Sequence, residues 1–165
     1  VRSSAKKIFV FGALLALGLA GCSDKVNPRV ATKFNQDAEM PGDLPSNPLR
    51  NKVITSWTDR QDATMSTLFG NDAAVQYART SADGKYPAGS ILSAVTWNQV
   101  EDPRWFGGKI PHTPKAVEYV TVTGPGQYTY QRYEGSPLKK VASIEGADPN
   151  DRAAYLLAQR ASVMP

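Results

Sequence analysis

Residues 68–110 decide the fold: L-F-G-N-D-A-A-V-Q-Y-A-R-T (68–80), Y-P-A-G-S-I-L-S-A-V-T-W (86–97) and N-Q-V-E-D-P-R-W-F-G-G-K-I (98–110). Asn71 is a good helix N-cap, because its side-chain oxygen can accept an amide left free in the first turn. Asp72 places negative charge at the positive end of the helix dipole. Ala74, Val75 and Ala78 recur at helical spacing. Asp83-Gly84 and Pro87-Ala88-Gly89 then stop the helix and turn the chain. Ser90 to Trp97 reads as a strand, with Ile91, Val95 and Trp97 on one face and Leu92 and Ala94 on the other. Apolar residues on both faces predict a strand inside a sheet, covered from both sides.

Working outward toward the C-terminus, Ala116 to Thr123 is rich in Val, Tyr and Thr. Thr123-Gly124-Pro125-Gly126 is a turn signal, and Gln127 to Tyr133 returns as the second arm of an antiparallel hairpin. Asp148 suits an N-cap and Pro149 the first helical position. Ala154, Leu157, Ala158 and Ala161 are spaced as one apolar helix face. Toward the N-terminus, Lys52 to Trp57 is a strand, Thr58 to Gln61 a turn, and Ala63 to Phe69 the returning strand, with helix as the alternative because its strand propensity is weak. The sum is an α+β domain: an antiparallel sheet of about five strands with packing helices, one of them C-terminal.

Residues 23–48 are polar and contain Pro28, Pro41, Pro45 and Pro48. They are expected to form a flexible tether, with folded structure starting near Leu49. Before them, Arg2, Lys6 and Lys7 precede the apolar run Ile8–Leu19, the pattern of a secretory signal. That run is shorter than the roughly 20 residues of a membrane-spanning helix. It ends Leu19-Ala20-Gly21-Cys22, which resembles the lipobox of bacterial lipoproteins. Cys22 is the chain's single cysteine. The expected organisation is therefore a signal peptide over 1–21, a tether over 22–48 starting at lipidated Cys22, and a domain over 49–165. An ordinary secreted protein with a chance cysteine is the alternative. Ser23 after the cysteine, by resemblance to lipoprotein sorting, places the anchor at the periplasmic face of the outer membrane.

The formal charge is +4, from 19 basic and 15 acidic residues. Without Arg2, Lys6 and Lys7 the balance is near neutral. Lys139-Lys140 is only a pair, and nothing clusters enough Lys and Arg to displace phosphate counterions, so no nucleic-acid partner is expected.

The run L-F-G-N-D-A-A-V-Q-Y-A followed by Y-P-A-G-S-I-L-S-A-V-T-W resembles the cytochrome P-460 family, over roughly Leu49 to Pro165. The resemblance implies a strand leading into a G-N-D-x-A helix, then a Pro-x-Gly turn into a central strand. Enzymatic members carry covalent c-type haem through Cys-x-x-Cys-His near the C-terminus. Here that region reads Gly146-Ala147-Asp148-Pro149-Asn150-Asp151-Arg152, without either thiol or the adjoining His. The family's cross-linking lysine, expected on the strand after the Pro-x-Gly turn, is missing from Ser90–Trp97. The fold carries over; the conversion of hydroxylamine or nitric oxide does not.

Few residues invite chemistry. His112, the single histidine, lies in Ile110-Pro111-His112-Thr113-Pro114, read as a stiff loop. A plain loop role is the main expectation, and ligation of a non-covalent haem is the alternative. No zinc site is expected, since three or four ligands cannot be assembled. Glu101 and Asp102 are adjacent on an extended chain and point apart, which does not suit an acid–base pair. Ser136 precedes Pro137 and is no nucleophile elbow. No catalytic residue is expected. Arg104, Trp105 and Phe106, next to Gly107-Gly108, are expected either to plug the core or to line a pocket or partner surface. The leading functional expectation is a haem-less outer-membrane lipoprotein, with a binding or envelope-interaction role and a small apolar ligand or an envelope protein as partner. The alternative is a non-covalent haem protein acting on nitrogen oxides or in electron transfer.

Overall fold

A computed structural model describes residues 36–81, 83–142 and 146–162. The signal and lipobox expectations, Cys22 included, lie outside the described residues. Among the described residues no helix is long and apolar enough to cross a membrane.

Six strands form one antiparallel meander, in the order β1 (Lys52–Asp59), β2 (Thr64–Gly70), β3 (Ile91–Glu101), β4 (Lys109–Gly124), β5 (Gln127–Glu134) and β6 (Lys139–Val141). Helix α1 (Asp72–Thr80) joins β2 to β3, and α2 (Pro149–Leu157) follows β6. The class is α+β, with six strands rather than five. The extra strand, β6, is three residues long and begins with two lysines, too short and too polar to show an alternating pattern.

The centre of the sheet follows from local chemistry. Asn71 Oδ1 accepts the amides of Ala74 at 3.1 Å and Ile91 at 3.2 Å, and its Nδ2 donates to the Gly89 carbonyl at 2.8 Å. One side chain thus caps α1 and ties it to the start of β3. Gly89 takes φ +86° in the turn between them, a conformation costly for residues with a Cβ. Ala74, Val75 and Ala78 are the buried face of α1. β3 pairs with β2 on one side and β4 on the other, and its alternation sorts the core. Leu92 and Ala94 join Ile54, Leu68, Val120, Val122, Ala153 and Leu156 under the helices, while Val95 and Trp97 join Phe69, Val117, Tyr119, Tyr133 and Leu138 on the opposite face.

Two elements differ from the sequence reading. The fully buried residues of α2 are Ala153 and Leu156; of the expected stripe, Leu157 and Ala161 are half-buried and pack on the core, while Ala154 and Ala158 are exposed. The helix ends at Leu157, so a stripe running on to Ala161 had no helix to lie on. β4 begins at Lys109 rather than Ala116, which puts His112 on a strand rather than in a loop. Pro111 and Pro114 are tolerated because β5 pairs only from Ala116 onward, leaving residues 109–115 at an edge, and because the register to β3 shifts around Trp97.

Residues 36–48 also differ from a free tether. Ala38, Met40 and Leu44 pack on the sheet face opposite the helices. The Trp97 indole donates to the Ala38 carbonyl at 3.0 Å, the Tyr119 hydroxyl to the Ser46 carbonyl at 2.5 Å, and the Leu138 amide to the Pro41 carbonyl at 2.7 Å. This polar, proline-rich segment covers what would otherwise be an exposed apolar sheet face, so the packed layer starts before Leu49.

Candidate functional site

Helices cover only part of their side of the sheet. Strand alternation carries the same face onward from Leu68 to Ser66, from Ala94 to Thr96 and from Val120 to Glu118. There the covering layer stops, and a cleft of about 250 Å³ opens. Ser66 and Thr96 form part of its floor, their hydroxyls 2.9 Å apart across β2 and β3. Trp57, Asp59, Asp62, Lys115, Arg132 and Arg152 are among the surrounding residues. Trp57 meets Tyr155 edge to face at 5.9 Å, and the Arg152 guanidinium lies 5.1 Å from the Tyr155 ring centre. Aromatic and cation–π contacts therefore hold one wall in place. Lys115 pairs with Asp62 at 3.4 Å.

The cleft's defining group is Glu118, 1% exposed. Arg152, projecting from α2, grips both of its oxygens, with Nε to Oε1 at 3.0 Å and Nη2 to Oε2 at 2.8 Å. Arg132, directly opposite on β5, places Nη1 3.2 Å from Oε1. The Tyr130 hydroxyl donates to the same oxygen at 2.5 Å. Burial alone raises the Glu118 pKa, but the bonds from Arg152 and Tyr130 and the two positive charges outweigh it and hold the group below its ordinary value. Burial and the adjacent carboxylate push the Tyr130 hydroxyl up. The bond to Glu118 raises Arg152. At neutral pH this is an ionised carboxylate under two guanidiniums, with no proton to give.

The residues singled out in the sequence do not assemble here. His112 sits on the β3–β4 ribbon with Nδ1 3.7 Å from Asp37 Oδ2, beside the segment that covers the opposite face. Arg104, Trp105 and Phe106 line neither the cleft nor the core. Trp105 is 76% exposed and Phe106 103%, which overturns the core plug: the seven-residue loop reverses beyond the sheet's edge, where no interior is within reach. Glu101 pairs with Lys109, and Asp102 with Arg104 at 3.5 Å, as loop charges. The space between sheet and helices is filled by Leu68, Leu92, Val120 and Leu156.

Glu118, Arg132 and Arg152 were missed, although one signal was available. Glu118 shares strand parity with Val120 and Val122, so a sheet placing those two inside must bury the carboxylate too, and a buried carboxylate demands partners. Arg132 follows only once the register of the β4–β5 hairpin is known, and Arg152 depends on a contact spanning 34 residues, which no local pattern reveals.

A haem site does not fit these residues. Among the described residues, the cleft lining contains no His, Cys, Met or Tyr, the side chains that serve as axial ligands of haem iron, and His112 lies elsewhere. Among the described residues no group of three or more His, Cys, Asp or Glu could hold a metal ion. Compared with protein-family models and with curated proteins, the chain finds no match in either.

Proposed function

We propose that this chain is a bacterial envelope lipoprotein, carried by lipid on Cys22 at the periplasmic face of the outer membrane, whose haem-less, cytochrome P-460-like domain works by binding a small polar ligand. The leader Arg2–Leu19 followed by Leu19-Ala20-Gly21-Cys22 supports the anchor. The binding role rests on one observation: an ionised, almost fully buried carboxylate under two arginines, set beside an open cleft rather than inside the core. About 250 Å³ falls below the roughly 300–1,000 Å³ of sites for drug-sized ligands, which suits a small molecule and not a macrocycle. Hydroxyls from Ser66 and Thr96, the Lys115 ammonium and carboxylates from Asp59 and Asp62 present both donors and acceptors. The ligand class is therefore a compact, hydrogen-bonding molecule, and catalysis is not part of the reading.

Saturation-transfer NMR of the full chain against small carboxylates, amines and sugars tests this. A ligand of the cleft is expected to lose affinity about tenfold in Lys115→Ala, the effect of removing one charged hydrogen bond, and to be unaffected by Lys139→Ala on β6. Ligands insensitive to Lys115→Ala and Thr96→Val, or an absence of ligands across the three classes, would count against the cleft as the binding site.

A further inference from the structure

We infer that the tip of the β3–β4 hairpin is a membrane-contact element, with Trp105 and Phe106 seated in the interfacial layer of the bilayer to which the chain is anchored. The inference rests on the lipid anchor proposed above. β2 pairs with β3 only as far as Asn98, and β5 pairs with β4 only from Ala116. Beyond those points β3 and β4 continue as a two-stranded arm, Gln99 to Glu101 against Lys109 to Pro111. The loop at its end is ordered by its own backbone. The Asp102 amide donates to the Gly108 carbonyl and the Gly108 amide to the Trp105 carbonyl, each at 2.9 Å, and Asp102 Oδ1 accepts the Arg104 amide at 2.8 Å. Two large aromatics are thus held out into solvent by a folded turn. Trp combines an apolar body with a polar N–H, the combination enriched where lipid meets water.

A bilayer is the favoured occupant for two reasons. First, the chain coming from Cys22 joins the domain on this arm. Asp37 meets His112 at 3.7 Å, and at about 3.3 Å per strand residue His112 lies roughly 10 Å from Lys109 at the base of the tip loop. The fourteen Cα–Cα steps from Cys22 to Gln36 span at most about 50 Å, so lipid on Cys22 keeps the tip within reach of the bilayer. Second, the tip is electrically balanced. Arg104 pairs with Asp102, and Lys109 with Glu101. A surface selected for a charged partner would leave one sign in excess; here the two rings are the unspent feature. Insertion therefore depends on apolar partition, needs no anionic lipid and is insensitive to salt.

The test is tryptophan quenching. The full lipidated chain is reconstituted in phosphatidylcholine vesicles with and without bromine on the acyl chains. Part of the emission is expected to be quenched by brominated lipid, equally at low and high salt. The quenchable component is expected to vanish in Trp105→Ala, which leaves Trp57 and Trp97, and in Phe106→Asp, which keeps all three tryptophans. Equal quenching of wild type and Trp105→Ala overturns the inference. So does Trp105 emission that shifts only when envelope protein is added, which would assign the tip to a protein partner, and so does quenching abolished by high salt. The mass of the purified chain reports separately whether Cys22 carries lipid. An acylated chain with an unquenched Trp105 removes the tip contact and leaves the anchor standing; a chain without lipid removes the anchor, and with it the premise of the contact.

Discussion

Glu118→Gln is expected to cost roughly 3 kcal/mol of stability at neutral pH, the low end of what breaking a buried ion pair costs. The amide keeps the volume but removes the charge that Arg132 and Arg152 are arranged around. Those side chains are 16% and 30% exposed, so water recovers part of the loss, which places the estimate at the low end. Urea unfolding checks it, with a shifted midpoint and an unchanged slope. The pH dependence has a defined sign. Arg152, Tyr130 and Arg132 hold the Glu118 pKa below its ordinary value of 4.5 against the opposing effect of burial. Its contribution is therefore fully present above that value and is lost as pH falls through the lower, folded-state pKa. The gap between wild type and Glu118→Gln is expected to narrow in acid. A gap that stays constant down to pH values where the wild type itself begins to unfold would show that Glu118 is not held as a carboxylate.

Gly42→Ala is expected to cost about 2–3 kcal/mol, at the upper end for forcing atoms into a packed site. A Cβ there would stand 2.2 Å from the Leu138 carbonyl oxygen and 2.8 Å from the Leu138 amide nitrogen, at φ +151°. These are backbone atoms and cannot turn aside. The Leu138 amide bonds to the Pro41 carbonyl at 2.7 Å and the Asp43 amide to the Leu138 carbonyl at 3.3 Å, so separating the strands breaks both. Relief comes only by lifting residues 38–44 from the sheet, which breaks the indole bond from Trp97 to Ala38 and opens that face. Tryptophan emission is expected to shift to the red together with the loss in urea midpoint. Unchanged stability and emission would mean that the segment does not cover the sheet.

What was legible in the sequence was local. Asn71 reads as a cap because capping is decided within three residues, and it is one. The alternation of Leu92 and Ala94 against Val95 and Trp97 placed β3 inside a sheet, because both its faces had to be covered. Asp148 and Pro149 marked the start of α2 for the same local reason. What was not legible depended on partners distant in sequence. Pro111 and Pro114 looked like a loop because their tolerance in β4 comes from lacking a neighbour on one side. Residues 36–48 looked like a tether because their composition is polar, while the few apolar residues they own, Ala38, Met40 and Leu44, are the ones that meet the sheet. Trp105 and Phe106 were expected first as core, since hydrophobicity says that a ring benefits from burial without saying against what. The cleft was invisible because it exists only where strand parity, the end of the covering layer and an arginine from α2 coincide.

The measurement that reaches the central claim most directly is the intact mass of the chain purified from cells in which both lipoprotein processing and c-type haem maturation are active. A chain beginning at Cys22, heavier than its sequence by acyl groups and by nothing else, is the predicted result, with Cys22→Ser leaving an unprocessed, unacylated precursor. A mature chain that starts at another residue without lipid, or one that retains haem after denaturation, would contradict the account of a lipid-anchored domain that works without haem.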